Sequence, residues 1–165
     1  MDLRDLTRGI FLIIKSSDAE TEAILTVAKL MVAAARTAPK TRGEDSIHTV
    51  IVSGVDKEKL AQAMDKGART APRDAENVRN SEIVVLIGVD CGKPSEEWWP
   101  FYAKLIDFGI ALGSAVKVAS DLNIDNRIMR TVGIAAMKLG FCKGDDVEGI
   151  PLSLKGKNIY FDRKS

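Results

Sequence analysis

The sequence predicts one α/β (α+β) domain, a mixed β-sheet flanked by helices. Three observations carry this. The β-branched runs Ile47–Val52 (IHTVIV) and Ile83–Gly88 (IVVLIG) read as strands. Stretches rich in small and apolar residues at helical spacing lie around them, at Ala23–Arg36, Lys104–Leu122 and Asn126–Leu139. The 165 residues, 45% hydrophobic and 28% charged, suffice for one core. Residues 1–165 are therefore expected to form a single domain, with an N-terminal arm of about residues 1–17 and a core of about residues 18–163.

The elements follow in order. Ile10–Ile14 (IFLII) is a continuous apolar run, either a buried strand or an extended arm. Ser16, Ser17 and Asp18 offer an N-cap, and Glu20 and Glu22 place acids where the helix dipole favours them. The alanine-rich helix Ala23–Arg36 stops before Pro39, because the residue before a proline avoids the α region. After the strand Ile47–Val52 comes a short amphipathic helix, Asp56–Gly67, with Leu60 and Met64 on its apolar side. Arg73–Asn80 is a second short helical candidate. Ile83–Gly88 is apolar throughout, which implies burial on both faces. Asp90–Pro100 reads as a loop. The two later helices carry adjacent apolar stripes and so touch neighbours on more than one side, with Asp125 placed as N-cap of the second. Val147–Leu152 is a late strand, and Lys155–Ser165 is a basic tail.

Composition excludes several classes. A net charge of +1 gives no argument for nucleic acid or an anionic membrane. No apolar stretch approaches the length of a membrane span. Cys91, Cys142 and His48 are the whole supply of Cys and His, too few for a common structural metal site. Free thiols suit a reducing compartment, so the expected location is the cytoplasm.

Three features could carry chemistry. Arg36, Lys40 and Arg42 fall within seven residues, around a proline-terminated helix end and Gly43. Arg forks, Lys point charges and backbone N–H groups are what phosphate recognition uses. Cations at a helix C-terminus also complement its dipole, and spacing alone favours that simpler role. Trp98, Trp99, Phe101 and Tyr102 crowd a proline-containing pentapeptide (WWPFY), a lid over a flat ligand, a subunit contact or a plug for the core. Gly109 and Gly113 sit one helical turn apart, and two interior helix glycines suggest close approach by another helix, in the core or in a dimer. The sequence supplies no convincing general acid or base.

Long ordered segments carry a resemblance. KLMVAAARTAPKTRGEDSIHTVIVSG, RDAENVRNSEIVVLIGV, DFGIALGSAVKVASDLNIDNRIMRTVGIAAMKLG and GIPLSLKGKNIYFDR look like uncharacterised prokaryotic proteins containing a ferredoxin domain. These in turn are similar to the flavin-dependent nitroreductases, whose helix ending in A-R-x-A-P-S is echoed by Ala35–Lys40 and whose small-residue helix is echoed by Gly109–Ala119. Lys40 stands where those enzymes often carry Ser. The resemblance implies a nitroreductase-like homodimer with FMN at the subunit interface, an oxidoreductase of unassigned substrate. Arg36, Lys40 and Arg42 would contact the flavin, Arg163 would complete its phosphate site, and Trp98–Tyr102 would cover the ring or the seam. Family members carry a cysteine cluster before the small-residue helix. Here that interval, VDCGKPSEEWWPFYAKLIDFG, keeps only Cys91, so no iron–sulfur cluster is expected. The alternative is a non-catalytic dimeric binding or scaffold protein that kept the fold after losing the cluster.

Overall fold

The computed structural model describes residues 13–67 and 71–161. Helix α1 (Ser16–Thr37) leads through a 3-10 turn (Thr41–Gly43) into strand β1 (Ile47–Ser53). Helices α2 (Gly54–Asp65) and α3 (Ala71–Asn80) follow, then β2 (Ile83–Val89) and the long helix α4 (Trp98–Asp121). Strand β3 (Asp125–Asn126), helix α5 (Arg130–Lys138) and β4 (Asp146–Ser153) complete the chain. The sheet order is β1-β2-β4-β3, and each neighbouring pair is antiparallel.

Helices cover both faces, which is why β2 is buried at every position. Val85, Ile87 and Val89 point into a core closed by α1 and α4, around Met31, Phe108 and Ala115. Val84 and Leu86 point the other way, into a core closed by α2, α3 and α5, around Leu60, Val78 and Val132. The fully apolar run was therefore legible as a two-sided strand. Its pairing partners were not.

Three boundaries differ from expectation. Helix α1 opens directly at Ser16 after Lys15, with no side-chain cap bond. Helix α4 begins at Trp98, so WWPFY is a helix start and not a loop. Pro100 is its third residue, and the first-turn N–H groups of a helix have no intrahelical partner, so a missing N–H costs nothing there. Helix α5 begins at Arg130. The residues before it pair with the sheet instead: Asp125 sits opposite Ser153, and Met129 bridges Gly149. Asp125 is thus a strand residue, and the N-cap of α5 is Met129, again without a side-chain cap bond.

The glycines also sort differently. A Cβ on Gly109 or Gly113 would meet nothing within 4 Å, so neither packs against another described part of the chain. Close approach occurs at Gly133, where a Cβ would lie 1.7 Å from the Val147 carbonyl oxygen. This lets α5 sit directly on β4.

Candidate functional site

The end of α1, the 3-10 turn and the start of α4 meet in one corner. Pro39 forces the chain out of the helix, and Lys40 turns back to cap it. The Lys40 ammonium donates to the carbonyls of Ala35 (3.2 Å), Arg36 (2.7 Å) and Ala38 (2.7 Å), and its side chain is only 5% exposed. These are the carbonyls a helix leaves unpaired, and a cation suits the negative end of the dipole. The simpler reading of Lys40 is the structural one.

Arg36 holds the segment beyond the turn. Its Nη1 pairs with the Asp45 carboxylate and donates to the Ile47 carbonyl at 2.8 Å. Partial burial pushes the Asp45 carboxyl up. The Arg36 hydrogen bond, the Ile47 N–H and the charges of Arg36 and Lys40 outweigh it and hold the group below the usual carboxylate range.

The turn itself is pinned from α4. Asp107, 2% exposed, accepts the Thr41 N–H through both carboxylate oxygens at 2.9 and 3.0 Å, and the Thr41 hydroxyl at 3.0 Å. That anchor holds Arg42 in the left-handed region at φ 57°, followed by Gly43 at φ 71°. Such conformations in non-glycine residues persist only where the surroundings fix them, and they concentrate at functional sites. Arg42 makes no hydrogen bond or ion pair with any described residue. Asp107 was missed in the sequence, where it looked like one more charge on a helix; burial at an inward position was the only signal available.

A cleft of about 70 Å³ opens between the turn and α4, lined by Thr41, Arg42, Glu44, Trp99, Pro100 and Lys104, with Ala103 behind. It joins Arg42 to Trp99, residues from two separate nominated motifs. Lys104 and Glu44 close one side as an ion pair at 3.3 Å. The α4 N-terminus beside it carries no side-chain cap bond. Trp99 alone of the aromatic set lines the cleft. Trp98 and Tyr102, with ring centroids 5.2 Å apart, stand on the exposed side, and Phe101 is half-buried. Beyond them Ile106, Gly109, Ile110 and Gly113 continue one exposed stripe along α4.

The remaining nominated residues lie elsewhere. Arg163 falls outside the described residues. His48 pairs with Asp90 at 2.7 Å on strand β1, away from this cleft. Cys91 packs at the edge of the α1–α4 core, and Cys142 is buried in the opposite core, where burial pushes its thiol up to about 11. No three His, Cys, Asp or Glu side chains among the described residues are grouped to hold a metal ion. No described helix is long and apolar enough to cross a membrane.

Residues 101–163 match the family described as "uncharacterized protein containing a ferredoxin domain (DUF2148)". An uncharacterized protein of Archaeoglobus fulgidus is 41% identical, spanning 92% of this chain and 98% of its own length. The chain belongs to this family. Its fold is that of the nitroreductases. A candidate nitroreductase in complex with FMN from Desulfovibrio desulfuricans superposes with a TM-score of 0.61 at 14% identity, covering 96% of this chain and 84% of that one. A nitroreductase family protein from Clostridium novyi NT gives 0.56 at 17% identity, covering 90% and 80%. For this member of the ferredoxin-domain family, the likeness establishes architecture.

Proposed function

We propose that this protein binds FMN as a homodimer and works as a flavin-dependent oxidoreductase. The observation that carries the reading is the Arg42–Trp99 cleft. It offers a guanidinium that no described residue pairs, a helix start without a side-chain cap bond and an aromatic face within one corner, elements of the kind that recognise a phosphate and a flat ring. One of the proteins sharing the fold has FMN bound. Arg42 would hold the phosphate or the flavin edge, and Trp99 would stack on the ring. Asp107 would act only by fixing the turn that presents Arg42. Bound flavin would supply the electron-transfer chemistry.

The cleft is far smaller than the roughly 300–1,000 Å³ typical of a ligand pocket. A second copy would supply the missing wall. The exposed stripe of Tyr102, Ile106 and Ile110 on α4, 50%, 51% and 39% exposed, is the face such a copy would cover. Arg36 and Lys40 are then supports of the loop rather than ligand contacts. The test is the visible spectrum of the purified protein, then titration of FMN fluorescence with the wild type and Arg42→Ala. Quenching by the wild type that weakens at least tenfold in the variant supports the reading. A colourless protein that leaves FMN fluorescence unchanged overturns it.

The same stripe favours a second reading, a dimeric binding protein without catalysis. Retained self-association with no flavin bound, lost in Ile106→Lys, would select it.

A further inference from the structure

A hollow of about 350 Å³ lies beside the start of β1, lined by Arg36, His48, Thr49 and Val50 with Gly140, Phe141 and Lys143. Its size falls within the range of ligand pockets. It shares no residue with the Arg42–Trp99 cleft.

The hollow brings hydrogen-bond donors together that the chain itself leaves unused. Arg36 holds Asp45 and the Ile47 carbonyl through Nη1 alone. Its Nε and Nη2 bond to no described residue, and Lys143 makes no hydrogen bond or ion pair with any described residue. Thr49 adds a backbone donor. The Asp90 N–H donates to the Ser46 carbonyl at 3.0 Å, in register with the pair Ile47↔Val89. Antiparallel pairs alternate between bonded and non-bonded positions. Residues 46, 48 and 50 therefore turn their backbone groups toward β2, and 47 and 49 turn theirs outward. The Ile47 N–H finds Asp45 at 3.1 Å. The Thr49 N–H bonds to no described residue.

Charge decides what these donors suit. Asp45 stands against Arg36, and Asp90 stands against His48 at 2.7 Å. Asp145 accepts the Gly92 N–H at 2.7 Å. Lys143 is the lining cation with no acid paired to it among the described residues. One unanswered positive charge suits a monoanion, and Asp45 and Asp90 nearby oppose a second negative charge. A carboxylate fits that balance better than a phosphate dianion, and the Arg fork matches its two oxygens.

The rest of the lining is apolar. Val50 and Phe141 are half-buried and pack on the core closed by α5. Both also line an adjoining hollow of about 290 Å³, which runs along β1 to Ser53. Gly140, at φ 66°, brings no side chain to the wall. An apolar body can thus lie on Val50 and Phe141 while its anionic head meets the donors.

We infer that this hollow is a binding site for a small monocarboxylate with a flat or branched apolar body. Arg36, Lys143 and the Thr49 N–H hold the carboxylate, and Val50 and Phe141 hold the body. The site is separate from the Arg42–Trp99 cleft and stands without the flavin reading.

Amide shift mapping by NMR on the full chain tests it, with benzoate as the probe. Benzoate should shift the Thr49, Val50 and Lys143 amides along a saturating curve. Benzamide keeps the ring without the charge, and inorganic phosphate keeps the charge without the ring. Each should bind at least tenfold more weakly than benzoate. Lys143→Glu should weaken benzoate at least tenfold. Lys143 is exposed, so the variant keeps the fold. Shifts that do not saturate, or that map to Arg42 and Trp99 instead, overturn the inference. So does benzoate binding that is unchanged in Lys143→Glu. Benzamide or phosphate binding as tightly as benzoate overturns it as well, since the site would then read only the ring or only the charge.

Discussion

A Cβ on Gly133 of α5 would strike the Val147 carbonyl oxygen at 1.7 Å, whereas a Cβ on Gly109 or Gly113 of α4 would touch none of the described residues. Both helices pack on the sheet and both carry glycines in their interiors. On α5 the glycine faces inward. Gly149 on β4 completes the contact, since a Cβ there would lie 2.2 Å from Val132 Cγ1. Glycine on both partners lets helix and strand backbones touch. On α4 the inward face is instead alanine and larger residues, Ala103, Phe108, Ala111 and Ala115. Its glycines lie outward among Tyr102, Ile106 and Ile110. A helix glycine that costs about 1 kcal/mol of propensity is explained by a described contact for α5, and by none among the described residues for α4.

The largest effect should come from breaking the inner contact. Gly133→Ala forces backbone apart in a close-packed layer, and overpacking costs 1–3 kcal/mol or more. We expect a loss of about 3 kcal/mol, read as a lower urea midpoint. A loss below about 1 kcal/mol would mean that α5 can lift from β4 freely, and the contrast would collapse.

Next is the one charged group on the inner side of α4. Asp107→Ala removes the acceptor for the Thr41 N–H and hydroxyl, and an unmet buried donor costs about 1–3 kcal/mol. A loss of about 2 kcal/mol is expected, with Asp107→Asn losing less because one carbonyl acceptor remains. Equal losses would show that charge rather than acceptor geometry fixes the turn.

The two glycine helices also mark what a sequence can show. Val84–Leu86 were legible as a two-sided strand because both flanking layers demand apolar residues there. The stop at Pro39 was legible because the ring forbids continuation. Pro100 misled because the same ring is harmless in a first turn, and position within a helix is a property of the start, which no cap residue announced. Gly109 and Gly133 could not be told apart, since spacing gives a stripe and not its direction. The cation cluster divided for a similar reason. Lys40 reaches carbonyls and Arg42 does not because Asp107, 66 residues from Thr41, fixes the turn between them. Long-range anchors of that kind leave no local pattern.

The α5-side core gives a smaller test in the opposite direction. Tyr160 is fully buried there, and its hydroxyl has no hydrogen-bond partner among the described residues. Burial, and then the charges of Glu82 and Asp125, raise its phenol well above the ordinary value. Removing the oxygen removes a desolvated group that gains nothing. Tyr160→Phe should raise the unfolding free energy by about 1 kcal/mol. A loss of that size would mean that the hydroxyl is satisfied in solution and that this core is wetter than the α4 side.

The smallest effect bears most directly on the contrast. Gly109→Ala and Gly113→Ala add a methyl that meets none of the described residues and restore helix propensity, so each should raise the stability of the isolated chain by about 0.5–1 kcal/mol. The same methyl would stand in the seam if a second copy covers the α4 stripe. Stability and self-association should then move in opposite directions: a higher midpoint in dilute samples, and a weaker dimer by sedimentation. If both rise together, the glycines leave no room for a partner, and the outer face of α4 is not where copies meet. If stability falls, the glycines are held by a contact within the chain, and the distinction between the two helices is lost.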